Sequence, residues 1–389
     1  MDPRTNPYAP GAGSRPPELA GRDDVIETTA IAIDRIRNGY DTQSSILIGL
    51  RGVGKTVLLN KITRDAAGRG LATVVMEAPE GRSLPALLVP ALRETLLKLD
   101  RGEKALTLAK QALGALAHFV RAFKLSYHEI EASIDLGQPG VADSGDLDHD
   151  LTGLLDLVGQ AAAEHHTALV LSIDELQYVP ERELASLITA LHRARQNERP
   201  VTMIAAGLPQ LVGQTGRAKS YAERLFKFEP IGPLDPTAAR EALSKPAAAR
   251  HVTFTAEALA EIVRLTAGYP YFLQEWGKQS WDAADASPIT RDDVDLATPS
   301  TIAALDRSFF RVRFDRLTPA EKRYMRAMAE LGAGPVLSSA VADQLERKSS
   351  SLGPVRASLI GKGMIYTPEY GKAAFTVPLF DDFMKRAMP

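Results

Sequence analysis

The chain contains no cysteine, which excludes disulfides, thiolate-ligated metals and a cysteine nucleophile. Its seven histidines show no metal-ligand spacing, and the adjacent pair His165–His166 reads as a solvated helix end. No apolar run reaches the roughly 18 residues of a membrane span. The longest candidate, residues 104–123, is interrupted by Lys104, Lys110, His118 and Arg121 and reads as a helix of a water-soluble protein. The opening stretch "MDPRTNPYAPGAGSRPPELAGRDD" has no apolar centre of the kind a secretory signal needs. A cytoplasmic protein without a membrane partner is expected. Neither sign of charge dominates: the formal net charge is −2, so the molecule as a whole is no generic polyanion binder.

What is present is ample core material, 45% apolar residues over 389 positions, enough for two or three domains. Residues 1–20, rich in Pro and Gly, read as an extended arm that makes no packed element. From Gly21 on, strand-length apolar runs alternate with helical patterns. The strand candidates are 44–49, 71–77, 168–173, 201–206 and 225–231; the helix candidates lie near 55–66, 84–99, 150–164 and 181–196. Such alternation predicts an α/β domain over 21–234, a parallel sheet with helices on both faces. "ALVLSI" (168–173) is continuously apolar, as a strand covered on both sides should be. An insertion at about 100–149 breaks the rhythm with a helical stretch, a half-buried strand pattern at Ile130, Ala132 and Ile134, and an acidic loop. Asp143, Asp146, Asp148 and Asp150 lack calcium-loop spacing, so that loop is expected to be solvated. Residues 235–306 read as helical only, and 307–389 as helices followed by a hairpin.

"LIGLRGVGKTVLLNKI" (47–62) sets glycines, a cation and a hydroxyl between an apolar strand and an amphipathic helix. Gly49, Gly54, Lys55 and Thr56 match G-x-x-x-x-G-K-S/T. Glycines permit positive φ and carry no Cβ, so the N–H groups of Gly49, Arg51, Gly52, Val53, Gly54, Lys55, Thr56 and Val57 can wrap phosphate oxygens. The following helix aims its positive end at the same anion. Lys55 would neutralise the β- and γ-phosphates of ATP, and Thr56 would offer its hydroxyl to Mg²⁺. "ALVLSIDELQ" (168–177) supplies the second part: Asp174 for the magnesium, Glu175 to orient and deprotonate the attacking water. Asn60–Lys61 is the only N-K pair and no acid follows at the guanine-reading position, so the sequence argues against a GTPase.

With these motifs in place the sequence resembles the AAA+ ATPases, in particular the initiator or origin-recognition-like branch and the related STAND proteins. "ELAGRDDVIE" (18–27) looks like the G-R-D/E stretch beside the adenine, and "VTMIAAGLP" (201–209) falls where the sensor-1 strand belongs. "SYAERLFKFEPIGPLD" (220–235) resembles the arginine-finger segment, with Arg224 at the matching position; a surface arginine is the alternative. "TAGYPYFLQEWG" (266–277) resembles the helical lid, its turn made by Gly268 and Pro270, and the aromatic Phe272, Trp276 and Trp281 are expected in the lid core. The resemblance implies ATP and ADP as ligands, Mg²⁺ as cofactor, and self-assembly or a protein partner. Two departures stand out: the sensor-1 positions are Ala205 and Ala206, and no sensor-2 arginine follows the lid turn. Both point to a slow, nucleotide-controlled switch. Arg51 reads as a loop-stabilising or solvent-facing residue of the nucleotide site.

Residues 316–380 read as a winged helix: three short amphipathic helices, the first with Tyr324, Met328 and Leu331 on one face, then strands around "EYGK" turning at Gly371. The third helix, entered through "SSSLGP", would show Lys348, Ser349, Ser350, Arg356, Ser358 and Lys362 to solvent, and the wing Lys372. Lys348, Ser350, Arg356, Lys362 and Lys372 are candidate contacts to double-stranded DNA. Residues 307–389 hold fourteen Lys or Arg against eight Asp or Glu, a balance of +6, and the rest of the chain carries −8. A protein-docking winged helix in a STAND-like regulator is the alternative.

Overall fold

The computed structural model describes residues 1–11, 13, 16–100, 107–125 and 141–389. They divide into two compact units: Arg22–Ile48 with Lys55–Pro230, and Met1–Gly21 with Gly49–Gly54 and Ile231–Pro389.

The first unit runs α1 (Asp23–Arg37), β1 (Ser44–Ile48), α2 (Lys55–Gly68), β2 (Ala72–Glu77), α3 (Leu84–Asp100), α4 (Thr107–Ala122), α5 (Leu147–Glu164), β3 (Leu169–Asp174), a 3-10 turn (Leu176–Tyr178), α6 (Glu181–Gln196), β4 (Val201–Gly207), α7 (Gln210–Ala218), α8 (Ala222–Leu225) and β5 (Phe226–Pro230). The strands form one parallel sheet in the order β2-β3-β4-β1-β5, with Ile46 opposite Ala205 and Phe228, and Ile173 opposite Met76 and Ala205. Every residue of β3 and β4 is buried, which explains why both are mostly apolar, with Ser172, Asp174 and Thr202 as the exceptions. Among the described residues, the five predicted strands are these five. α1, which was not among the helix candidates, buries Thr29, Ile33 and Ile36. α4 buries Phe119 and Leu116 completely and adds to the sheet unit's core.

The strand pattern at Ile130, Ala132 and Ile134 lies outside the described residues. The acidic loop is not wholly solvated. Asp150 is fully buried and accepts from the Ser144 N–H and hydroxyl and the Gly145 N–H, at 3.1, 2.6 and 2.8 Å. A buried carboxylate persists only with such partners, so this loop is tied to its helix.

The second unit continues with α9 (Pro236–Ala248), α10 (Ala256–Thr266), α11 (Pro270–Ala283), α12 (Arg291–Leu305), a π-helical turn (Asp306–Phe310), α13 (Arg311–Asp315), α14 (Pro319–Leu331), β6 (Val336–Leu337), α15 (Ser338–Gln344), α16 (Ser349–Gly361), β7 (Ile365–Tyr366), β8 (Lys372–Phe375) and α17 (Phe380–Ala387). Helix starts follow local chemistry: Asp235 caps α9 by accepting from Thr237 and Ala238, and capping boxes open α12 (Thr290, Asp293) and α14 (Thr318, Glu321). Phe272, Trp276 and Trp281 are buried in the helical part, as expected of lid core.

The arm corrects the reading of residues 1–20. Its described residues include a short 3-10 helix, Pro3–Thr5, and Tyr8 is buried, donates its hydroxyl to the Leu243 carbonyl and lies against Gly277. A Cβ at Gly277 would stand 2.9 Å from the Tyr8 ring. Trp281 Nε1 donates to the Asp2 carbonyl at 3.2 Å. Asn6 adds hydrogen bonds to the Lys278 carbonyl and the Asp282 carboxylate at 3.0 and 2.8 Å, so the arm is docked by several side chains.

β6, β8 and β7 form an antiparallel three-stranded sheet behind α14, α15 and α16, the winged-helix arrangement, with the hairpin turning through Gly371 at φ +78°. Leu331 lies outside the apolar face of α14, 40% exposed, because it is the last residue of the helix before Gly332. Pro354 sits in the middle of α16, whose N-cap residue, Lys348, makes no side-chain capping hydrogen bond.

Candidate nucleotide-binding site

β1 ends and α2 begins around Gly49–Gly54, where Gly52 and Gly54 take φ of +84° and +91°. Side chains rarely adopt that conformation, and it turns successive N–H groups toward one concavity. Gly49 is required for a different reason: a Cβ there would fall 2.0 Å from the Ile231 carbonyl oxygen. Within its unit the loop is also held from outside. The Arg51 N–H donates to the Thr376 carbonyl at 3.1 Å and the Arg51 guanidinium approaches the Gly363 carbonyl at 3.4 Å. The Tyr271 N–H, in the first turn of α11, donates to the Gly52 carbonyl at 3.2 Å. Thr376 is itself fully buried, its hydroxyl on the carbonyls of Gly363 and Met364 at 2.6 and 3.1 Å. Arg51 is thus a loop-stabilising residue, engaged by the winged-helix sheet.

In the sheet unit, Lys55 opens α2 and is buried, Thr56 and Val57 follow half-buried, and Asp174 ends β3. The Thr56 hydroxyl hydrogen-bonds the Asp174 carboxyl. Burial pushes that carboxyl up from its ordinary range, opposed by the Thr56 hydroxyl, the Glu175 N–H (2.8 Å to Oδ1) and the Lys55 ammonium. A hydroxyl and a desolvated carboxylate in contact fit a magnesium ion: both are oxygen donors, and a dication would relieve the cost of the buried charge. Glu175 takes the left-handed conformation, φ +53° and ψ +36°, unusual outside glycine and enriched at functional positions. Its carboxylate accepts from the Gln177 side-chain amide.

Gly268, at φ +73°, meets the Leu234 backbone: a Cβ would stand 2.3 Å from its carbonyl oxygen, and the Leu234 N–H donates to the Gly268 carbonyl at 2.9 Å. Pro270 occupies the first position of α11, where its missing N–H costs nothing. Arg224 is exposed on α8, just before β5. Because β5 pairs with β1 in parallel from Ser44 and Phe226, that position is at the amino-terminal edge of the sheet, opposite the edge bearing Thr56 and Asp174. The Arg224 carbonyl accepts from Gln43 and Arg195.

The nucleic-acid candidates separate. Lys348 and Ser350 are exposed at the start of α16. Lys362 does not face outward: its ammonium binds Glu321 at 2.7 Å and the Arg316 carbonyl at 3.1 Å, and Ser358 joins the same carboxylate at 2.6 Å. Arg356 reaches across to the wing, donating to the Thr367 hydroxyl at 2.7 Å and the Lys372 carbonyl at 3.1 Å. Lys372 pairs with Glu369 at 2.8 Å. Sequence reasoning took the third helix's polar side as its free side; one part of that side clamps α14 and another the wing. It also passed over Gln177, whose place two residues after Glu175 was the available signal, and Thr376, for which no local signal exists.

A parallel sheet in which an inner strand, β1, feeds a glycine loop, a lysine and a threonine, while an Asp–Glu pair ends β3, one strand further across, defines a P-loop nucleotide-binding fold. Residues 18–204 match the AAA ATPase domain family, so the chain carries an AAA ATPase domain. Residues 307–384 match a domain of unknown function, DUF8462. An uncharacterized HTH-type transcriptional regulator of Methanocaldococcus jannaschii is 22% identical over 346 residues, 85% of this chain and 80% of that protein. The Walker-type ATPase of Pyrococcus abyssi shares the fold at a TM-score of 0.62 and 15% identity, over 94% of this chain and 96% of its own. Among the described residues no helix is long and apolar enough to cross a membrane.

Proposed function

We propose that the chain is an ATP- and Mg²⁺-dependent ATPase acting as a switch, its nucleotide state read out by the winged helix. The observation that carries the coupling is the hydrogen bond from the Arg51 N–H to the Thr376 carbonyl. A loop that closes on phosphates must reorient its own amides, and here one of them is committed to the end of β8. Any change in that loop therefore bears on the winged-helix sheet.

Lys55 and the loop amides bind the triphosphate, Thr56 and Asp174 hold the metal, and Glu175 orients the attacking water and accepts its proton. Magnesium bound there supplies charge neutralisation on the phosphates. Gly268 and Pro270 fix the turn that starts α11, whose first-turn N–H reaches Gly52, so their part in nucleotide binding is indirect. Arg224, on the far edge of the sheet from its own Thr56, serves as an arginine finger only for a neighbouring copy, which makes self-assembly part of the proposal.

Double-stranded DNA is the proposed partner of the winged helix, supported by the basic balance of residues 307–389 and the HTH-type regulator relative, with Lys348 and Ser350 as the accessible contacts. Against it, Arg356, Lys362 and Lys372 have internal partners, which favours a protein-docking surface in a STAND-like regulator as the second reading. ATP binding is tested by calorimetry on Lys55→Ala, expected to abolish it, and on Glu175→Gln, expected to bind but not turn over. A mobility-shift titration with and without ATP at low salt, where electrostatic association is strongest, decides the partner. Absence of any shift there removes the DNA reading.

A further inference from the structure

AAA+ proteins resembled by this sequence carry a polar side chain at the end of the sensor-1 strand; here β4 ends in Ala205, Ala206 and Gly207, all buried and without a polar side chain. A polar side chain from another element reaches the end of that strand. Gln177, on the 3-10 turn after β3, is 9% exposed, and its amide spans from β4 to the Asp–Glu pair. Its Oε1 accepts from the Leu208 N–H at 3.1 Å, and its Nε2 donates to a carboxylate oxygen of Glu175. The orientation of the amide is fixed chemically: Leu208 N–H needs an acceptor, so the NH₂ group must face the carboxylate. Gly207 makes the room, since a Cβ there would lie 2.9 Å from Gln177 Oε1 and 2.6 Å from Leu211 Cδ2. Glu175 is meanwhile held at φ +53°, a conformation that persists only where its surroundings over-determine it.

Given the ATPase reading above, we propose that Gln177 is the positioning residue for the catalytic carboxylate of Glu175, in place of the missing polar sensor-1 side chain. A general base must sit within hydrogen-bond reach of the water it deprotonates, and an untethered glutamate at the end of a strand has several rotamers to choose among. The Gln177 amide selects one of them by a charge-assisted hydrogen bond anchored to the sheet through Leu208. Misplacing a reacting group by about 1 Å costs on the order of 10²-fold in rate.

The discriminating variant is Gln177→Glu. It keeps the volume and the acceptor for the Leu208 N–H, so the packing and that hydrogen bond are retained. It loses the donor to Glu175 and sets a second carboxylate beside it. Single-turnover ATP hydrolysis and nucleotide Kd are measured on the full-length wild type, Gln177→Glu, Gln177→Leu, Glu175→Gln and the Glu175→Gln/Gln177→Leu double variant.

The expected result is a fall in the hydrolysis rate of about 10–100-fold in both Gln177 variants, with Kd within about threefold of wild type. The double variant should be no slower than Glu175→Gln alone, since Gln177 acts through that carboxylate. A Gln177→Glu rate within threefold of wild type overturns the assignment, as does a loss of nucleotide affinity matching the loss of rate. If wild type is no faster than Glu175→Gln, the ATPase reading fails first and the assignment falls with it, an outcome distinct from a fast wild type with an equally fast Gln177→Glu.

Discussion

Glu321 offers the most quantitative check on how the winged helix is held. It is the third residue of α14 and 3% exposed, and its carboxylate accepts from the Thr318 N–H at 2.7 Å, the Ser358 hydroxyl at 2.6 Å and the Lys362 ammonium at 2.7 Å. Burial alone raises such a group, but these donors reverse the effect and bring the carboxyl down to about 2 from an ordinary 4.5. A folded-state value below the unfolded one means that the ionised group stabilises the fold above pH 4.5, and that this stabilisation drains away as pH falls toward 2. At about 1.4 kcal/mol per pH unit the ceiling is roughly 3 kcal/mol at neutral pH.

Glu321→Gln keeps the shape and the capping geometry but removes the charge, leaving the Lys362 ammonium, 25% exposed, without its counter-ion. Amide hydrogen exchange of Lys322–Leu331, read by mass spectrometry at pH 7, reports local opening of α14 directly. Acceleration on the order of 10²-fold is expected for Glu321→Gln. Restoration of part of that protection is expected in Glu321→Gln/Lys362→Met, where the stranded charge is gone. The reasoning is refuted if Glu321→Gln exchanges within threefold of wild type, or if the double variant exchanges faster than the single.

The remaining predictions concern the site and its supports. Asp174→Asn should raise the melting temperature of the nucleotide-free chain while removing the magnesium dependence of ATP binding. The carboxyl's folded value lies above its unfolded one, so at pH 7 its burial penalty is fully present and the neutral amide avoids it. Calorimetry with and without Mg²⁺ checks both halves. Gly268→Ala places a Cβ 2.3 Å from the Leu234 carbonyl oxygen at a positive φ, and a loss of about 2 kcal/mol or more is expected in denaturant titration. Tyr8→Phe leaves the Leu243 carbonyl without its hydroxyl donor; thermal unfolding should show about 1 kcal/mol lost, and no loss would mean that the arm is not docked through that residue.

The sequence reached far where physics is local. Five strands were legible because a parallel sheet covered on both faces demands runs such as "LVLSID", and the loop between β1 and α2 was legible because positive-φ turns demand glycine. The Asp174–Glu175 pair followed from a strand ending in two acids. Helix starts at Thr318, Thr290 and Asp235 are written in the side chains that satisfy the first free amides. Residues whose partners lie far along the chain were not legible. Lys362 and Ser358 look solvent-facing on a helical wheel and turn instead to Glu321, some forty residues earlier. Tyr8 seats itself in a helical bundle more than two hundred residues away, and Arg51 ends on Thr376.

The amino-acid sequence alone thus determined that a glycine loop, a lysine and a threonine stand between a strand and a helix, because backbone permissiveness, charge and hydroxyl chemistry are properties of neighbouring residues. Tertiary structure decided what that loop is connected to. Which carbonyl takes the Arg51 amide, and which amide holds the Glu175 carboxylate, depend on segments brought together by burying apolar surface. That driving force has no direction, so it leaves no local mark from which such contacts could be read.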